Sequence, residues 1–164
     1  MMIGTGNMEI DVLIDEEFEG CPETGWLQSV AEQILVAHNV GTNVEMGLVI
    51  ASENRVQRLN QCYLGKDRPT DVLAFSASEE TEADFPPFVQ PPNGVLHLGE
   101  VIISYPQAVN QSREQKHSIK KELTILIIHG MLHLLGYKHD EPKQERQMKA
   151  KETEIMSRLE KELS

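Results

Sequence analysis

An α+β sandwich, with helices covering a small mixed sheet of four principal strands, is the fold class this sequence predicts. Three observations carry that expectation. Segments of alternating or continuous apolar residues interleave with segments of three- and four-residue apolar spacing, in the order strand, helix, strand, helix, strand, strand, then helices. The 164 residues suffice for one sizeable core and leave little room for a second, so a single domain over residues 1–164 is expected. Hydrophobic residues at 40% and charged residues at 25% are ordinary globular values, and no apolar run approaches the roughly 18 residues a membrane span needs. Fibrous, disordered and membrane-spanning classes are thereby excluded.

The elements follow in order. Residues 8–14 (MEIDVLI) alternate apolar and polar side chains as a half-buried strand does. From Thr24 to Asn39, Trp26, Leu27, Val30, Ile34, Leu35 and Ala37 recur at helical spacing, predicting an amphipathic helix that ends near Gly41. Residues 45–51 (EMGLVIA) read as a second strand. Ser52 is an N-cap for a helix carrying Val56, Leu59 and Tyr63, and Gly65 stops it. Residues 71–75 (DVLAF) form a short third strand. Ser76 to Asn93 holds four acids and four prolines, which predicts an irregular, flexible surface loop. Residues 95–104 (VLHLGEVIIS) read as a fourth strand, and Pro106 opens a helix to about Arg113. A strongly apolar helix spans about Ser118 to Leu135, and Asp140 with Pro142 starts a last, charged helix reaching Leu159.

Net charge is −11, unevenly distributed. Residues 1–54 contain ten acids and no Lys or Arg, and residues 79–84 add four acids, which leaves the remainder at +3. Arg55, Arg58, Lys66 and Arg68 form one basic group, and Arg113, Lys116, Lys120 and Lys121 another, so a polyanion can meet a locally basic face although tight nonspecific coating of nucleic acid is disfavoured. The N-terminus shows no basic and apolar signal regions, so a cytoplasmic location is expected, where Cys21 and Cys62 stay free thiols.

Six histidines occur, and three fall in the run 129–139, HGMLHLLGYKH. His129 and His133 are four residues apart in a helical segment, hence on one face and about 6 Å apart along the axis, which lets both imidazoles reach one ion at about 2.0 to 2.1 Å. Were the helix to continue, His139 would lie about 9 Å beyond His133. Gly136 removes that obstacle, because glycine can take the left-handed conformation, end the helix and return His139 to the same ion. His38, His97 and His117, each isolated, read as ordinary core or surface residues. Three neutral imidazoles leave a fourth tetrahedral position for water, the pattern of a catalytic zinc, one per chain, rather than a closed structural one. The expected reaction is hydrolysis by a zinc-bound water held by His129, His133 and His139.

The spacing is that of the metzincin run H-E-x-x-H-x-x-G-x-x-H, but Gly130 stands where the peptidase general base would be. A peptide-bond mechanism therefore lacks a key group. A mid-helix glycine costs about 1 kcal/mol relative to alanine, so Gly130 implies that something large approaches the helix backbone there.

Three blocks carry a resemblance to a known family: Leu59-Asn60 through Tyr63, with Gly65-Lys66-Asp67 and residues 69–75 (PTDVLAF); residues 98–104 (LGEVIIS); and His129-Gly130 through residues 132–137 (LHLLGY) with His139. Over about residues 45–160 the sequence resembles the YbeY family of bacterial endoribonucleases. The resemblance implies a zinc-dependent, single-strand-specific endoribonuclease in rRNA processing, notably at the 3′ end of the small-subunit rRNA, and in ribosome quality control. The implied partners are single-stranded RNA, rRNA and the small ribosomal subunit, with neither DNA nor membrane. It places the zinc ligands on His129, His133 and His139. Many relatives carry Arg after the Tyr of the first block, where this chain has Leu64; Lys66 and Arg68 offer the positive charge instead, as substrate-binding residues together with Thr70 and Asp71, which bind or orient water near the cleft or simply form a helix-to-strand turn. The competing readings are a metallopeptidase, disfavoured by Gly130, and a noncatalytic ribosome-associated module with a structural zinc.

Overall fold

The computed structural model describes residues 8–38, 43–64, 70–77, 95–137 and 141–163. Four strands and five helices alternate as β1 (Met8–Ile14), α1 (Thr24–Ala37), β2 (Asn43–Ala51), α2 (Glu53–Leu64), β3 (Val72–Ser76), β4 (Val95–Ser104), α3 (Tyr105–Gln115), α4 (Ile119–Leu134) and α5 (Pro142–Leu163). The sheet order is β1-β2-β4-β3, with β1, β2 and β4 parallel and β3 antiparallel on the β4 edge. This is the α+β fold with a four-stranded mixed sheet that the sequence predicts.

Burial explains why each segment takes its place. Val44, Met46, Leu48 and Ile50 of β2, with Val101 and Ile103 of β4, point to one face and form the main core with α1, α4 and α5. From α5 that core takes Met148, Ile155 and Leu159. On the opposite face α2 covers the β4–β3 half, where Val49, Ala51, Val56, Leu73 and Ile102 make a second cluster with Leu59 and Phe75 against it. Glu9, Asp11 and Leu13 of β1 stay exposed on that face, so part of the N-terminal acidic excess lines an uncovered stretch of sheet.

Three helix N-termini use serine. The hydroxyl of Ser52 accepts from the Arg55 N–H at 3.2 Å, that of Ser104 from Gln107 at 3.4 Å and that of Ser118 from Lys121 at 3.1 Å, each satisfying a donor the first helical turn leaves unpaired.

One irregularity controls which way β4 faces. Glu45 pairs with His97, but Met46 pairs with Gly99, so Leu98 is an extra residue in a bulge. Leu96 and Leu98 face the main core before it, and Val101 and Ile103 face the same core after it. Gly99 has φ +125°, and a Cβ there would lie 2.0 Å from the Phe75 carbonyl oxygen, so only glycine fits.

Ser76 departs from expectation. Placed by sequence at the start of the loop, it is the last residue of β3, paired with Gly99, and the ladder is prolonged by the Ala77 N–H donating to the Leu98 carbonyl at 3.0 Å. β3 thus keeps the expected five residues but runs one position later, Val72–Ser76 in place of 71–75, with Asp71 just before it. Residues 78–93, the rest of the expected loop, lie outside the described residues.

Candidate metal centre

Helix α4 carries the first two histidines because its sequence is apolar enough to lie on the sheet while leaving one polar stripe. Ile127, Ile128, Met131 and Leu132 are buried, and His129 and His133 fall between them, half-buried. Their ring centroids are 4.8 Å apart with the planes at 77°. Two imidazoles bound through nitrogen to one tetrahedral ion place their centroids about 5 Å apart, given nitrogen–zinc distances of about 2.0 Å. The pair therefore fits a zinc ion, and the borderline-soft nitrogen donors suit that metal.

Helix α4 ends as Gly136 predicts. Gly136 has φ +103°; its N–H donates to the His133 carbonyl at 3.1 Å, and the Tyr137 N–H donates to the Leu132 carbonyl at 2.9 Å. These two bonds make a Schellman motif, which ends the helix at Leu135, two residues past the second histidine. His139 itself lies outside the described residues, as do Lys66 and Arg68.

Gly130 has a different explanation from the one its position suggested. It faces the sheet, and a Cβ there would lie 2.7 Å from Val101 Cγ1, 3.1 Å from Val101 Cγ2 and 3.4 Å from Val72 Cγ2. What approaches the helix backbone is thus the buried Val101, not an incoming ligand. The same geometry bears on peptidase chemistry, because a side chain at position 130 enters the core and cannot serve as a general base beside His129 and His133.

A carboxylate that sequence reasoning missed meets the first histidine. Glu152 Oε2, on α5, lies 2.6 Å from His129 Nδ1. A carboxylate only accepts, so the ring donates from Nδ1. One signal for this existed in the sequence: Met148, Glu152, Ile155 and Leu159 fall on one face of α5, so an acid sits in an otherwise apolar stripe.

Thr70 and Asp71 stand at the entrance to β3. Thr70 is half-buried. The Asp71 carbonyl accepts from the Ser104 N–H at 2.9 Å and its carboxylate from Gln111 Nε2 at 3.0 Å, which ties β3 to the end of β4 and to α3. The other histidines have partners of their own. His97 Nδ1 is 2.6 Å from Glu45, His117 Nε2 is 2.7 Å from Glu122, and His38 Nε2 is 3.4 Å from the Tyr137 hydroxyl. Burial, followed by the charge of Lys151, holds the His38 imidazole below its ordinary pKa. Of the basic residues, Arg55 is paired with Asp15, Lys120 lies over the Trp26 ring and Lys121 reaches Glu160.

Fold and site together define a small α+β protein that displays two imidazoles one helical turn apart, beside a glycine turn, on the helical layer of a mixed sheet. Comparison with known proteins narrows that class. The family model described as "Endoribonuclease YbeY" matches residues 15–160, and the chain belongs to that family. It is 42% identical over 158 residues to the endoribonuclease YbeY of Dehalococcoides mccartyi strain 195, covering 93% of this chain and 91% of that one. It is 38% identical over 151 residues to the YbeY of Roseiflexus strain RS-1, covering 92% of each. Among solved structures, the solution structure of the Thermotoga maritima protein TM1509 is similar with a TM-score of 0.57 and 29% identity, over 90% of this chain and 86% of that one. Among the described residues no helix is long and apolar enough to cross a membrane.

Proposed function

We propose that this protein is a zinc-dependent, single-strand-specific endoribonuclease of the cytoplasm, acting in rRNA processing at the 3′ end of the small-subunit rRNA and in ribosome quality control. The observation that carries the reading is the His129–His133 pair, at metal-binding separation, in a chain that belongs to an endoribonuclease family. His129 and His133 would hold the ion with His139 as the third ligand. When bound, zinc supplies Lewis acidity toward the phosphodiester and the oxygen that attacks it.

The chain's own residues do the rest. The turn at Gly136 ends α4, and the packing of Gly130 on Val101 sets how close the histidines lie to the sheet. Lys66 and Arg68 supply positive charge for the RNA backbone in the place of the arginine that relatives carry where this chain has Leu64. Thr70 and Asp71 border the same segment, Asp71 fixing where it enters the sheet. A flexible single strand can bend its phosphates toward imidazoles set on a helix face more readily than a stiff duplex.

The test is incubation of the purified protein with labelled single-stranded RNA, duplex RNA and casein, each with and without chelator, alongside metal analysis. Chelator-sensitive cleavage of the single strand alone is expected, with one zinc per chain that His133→Ala loses. Casein hydrolysis would instead indicate a peptidase, and bound zinc without any cleavage a binding module. Full metal content in His133→Ala would remove the ligand assignment.

A further inference from the structure

Helix α5 is mostly a solvated, charged helix, yet one of its acids is treated differently from the others. Glu145, Glu154 and Glu160 are exposed, whereas Glu152 is half-buried in line with Met148, Ile155 and Leu159, which form the core-facing stripe. A carboxylate in an apolar stripe costs desolvation unless it is well paired. Its partner is His129 Nδ1 at 2.6 Å, a contact spanning 23 residues of sequence and joining α5 to α4.

From this we infer that Glu152 is a positioning residue for the metal centre: it accepts the Nδ1 proton of His129, fixes the ring's orientation and leaves the Nε2 lone pair for the ion. This rests on the reading of His129 as a ligand. The physical basis is general. A neutral imidazole carries its proton on one nitrogen only, so the hydrogen bond made by one nitrogen decides which is left to bind metal, and an anionic acceptor also makes that nitrogen more basic. His133 sits one turn further along the same helix, with its ring plane at 77° to that of His129, so one ion can lie in both planes only if each ring is held in rotation. The carboxylate provides that hold for His129 from outside its own helix, and therefore does not depend on the local conformation of α4.

Two variants separate this role from ordinary packing. Glu152→Gln retains an acceptor without charge, and Glu152→Leu completes the apolar stripe while removing the acceptor. Zinc affinity is measured on the full chain by competition with a chromophoric chelator at fixed pH, thermal unfolding on the metal-free chain, and the His129 tautomer from ¹⁵N shifts of the metal-free chain. Glu152→Leu is expected to weaken zinc binding about 10- to 100-fold while unfolding at the wild-type temperature or above, and to populate the Nε2–H tautomer. Glu152→Gln is expected to fall between that variant and wild type in affinity. A purely structural Glu152 gives another pattern: lower thermal stability, with zinc affinity and tautomer unchanged. Zinc affinity within twofold of wild type in Glu152→Leu, or a His129 ring that keeps its proton on Nδ1 there, overturns the inference. If the wild-type chain itself takes up no zinc, the proposed function fails first, and the tautomer measurement then decides separately whether Glu152 orients the ring.

Discussion

Replacing Gly130 by alanine tests how closely α4 is seated on the sheet. In an exposed helix interior the change would stabilise by about 1 kcal/mol through helix propensity. Here the added Cβ falls 2.7 Å from Val101 Cγ1, where carbon atoms prefer about 3.5 to 4.0 Å. Val101 is fully buried and β-branched, so its side chain has neither solvent to move into nor an easy second rotamer. Overpacking of this kind costs about 1 to 3 kcal/mol. The net expectation for Gly130→Ala is a loss of about 1 kcal/mol, opposite in sign to the propensity effect. In a Val101→Ala background the colliding methyls are gone, so the same Gly130→Ala change should stabilise by about 1 kcal/mol. The two backgrounds then differ by about 2 kcal/mol, which a double-mutant cycle resolves. Urea unfolding of the metal-free protein, followed by the fluorescence of Trp26, the single tryptophan, gives each value. Stabilisation by Gly130→Ala in the wild-type background, or a coupling below about 0.5 kcal/mol, refutes the reasoning. Gly130→Glu extends the test: restoring the peptidase sequence should drive a carboxylate under the helix and abolish folding rather than create casein hydrolysis.

Other expectations are open to measurement. Lys66→Ala combined with Arg68→Ala should slow RNA cleavage and flatten the salt dependence of binding, by about 1.4 in the log–log slope if each contacts one phosphate of a single strand; an unchanged slope would put the positive charge elsewhere, with Arg113, Lys116 or Lys120 the next to substitute. Shortening residues 78–94 with a Gly-rich linker should keep zinc content and leave cleavage unchanged or broadened, because four like charges at 79–84 repel RNA; loss of zinc would mean that the segment supports the site. Since burial lowers the His38 pKa, the folded chain binds fewer protons there than the unfolded one, so this residue's contribution to stability is present above its ordinary value near 6.5 and is lost as pH falls below it. Between pH 7.5 and 5.5, metal-free His38→Gln should therefore lose less stability than wild type, and equal losses would show that His38 is not responsible.

Much of the fold was legible because its signals are local. The alternation over residues 8–14 and the bounds 95–104 match β1 and β4, and three serines predict or mark helix starts. The helix stop after α4 was legible too, since Gly136 is the residue type that ends a helix in the left-handed conformation. What escaped depends on residues far apart in sequence. The reason for Gly130 is Val101 across the α4–β4 contact, the one-residue displacement of β3 goes with the pairing of Ser76 to Gly99 of β4, and Glu152 meets His129 only when α5 folds back on α4. Asp71 illustrates the same limit, since its hydrogen bonds to Gln111 and Ser104 come from the packing of α3 and β4 beside it.

The bulge at Leu98 works as a phase shift in the strand. Upstream of it even-numbered side chains face α4 and the main core, and downstream odd-numbered ones do. Iron the bulge out with every residue kept and the phase of the strand slips: Glu100 and Ile102 would turn to the core side, Val101 would leave its place beneath Gly130, and the platform under the histidine pair would be charged. The bulge, some thirty positions before His129 in the chain, thereby sets the polarity of the surface on which both histidines stand.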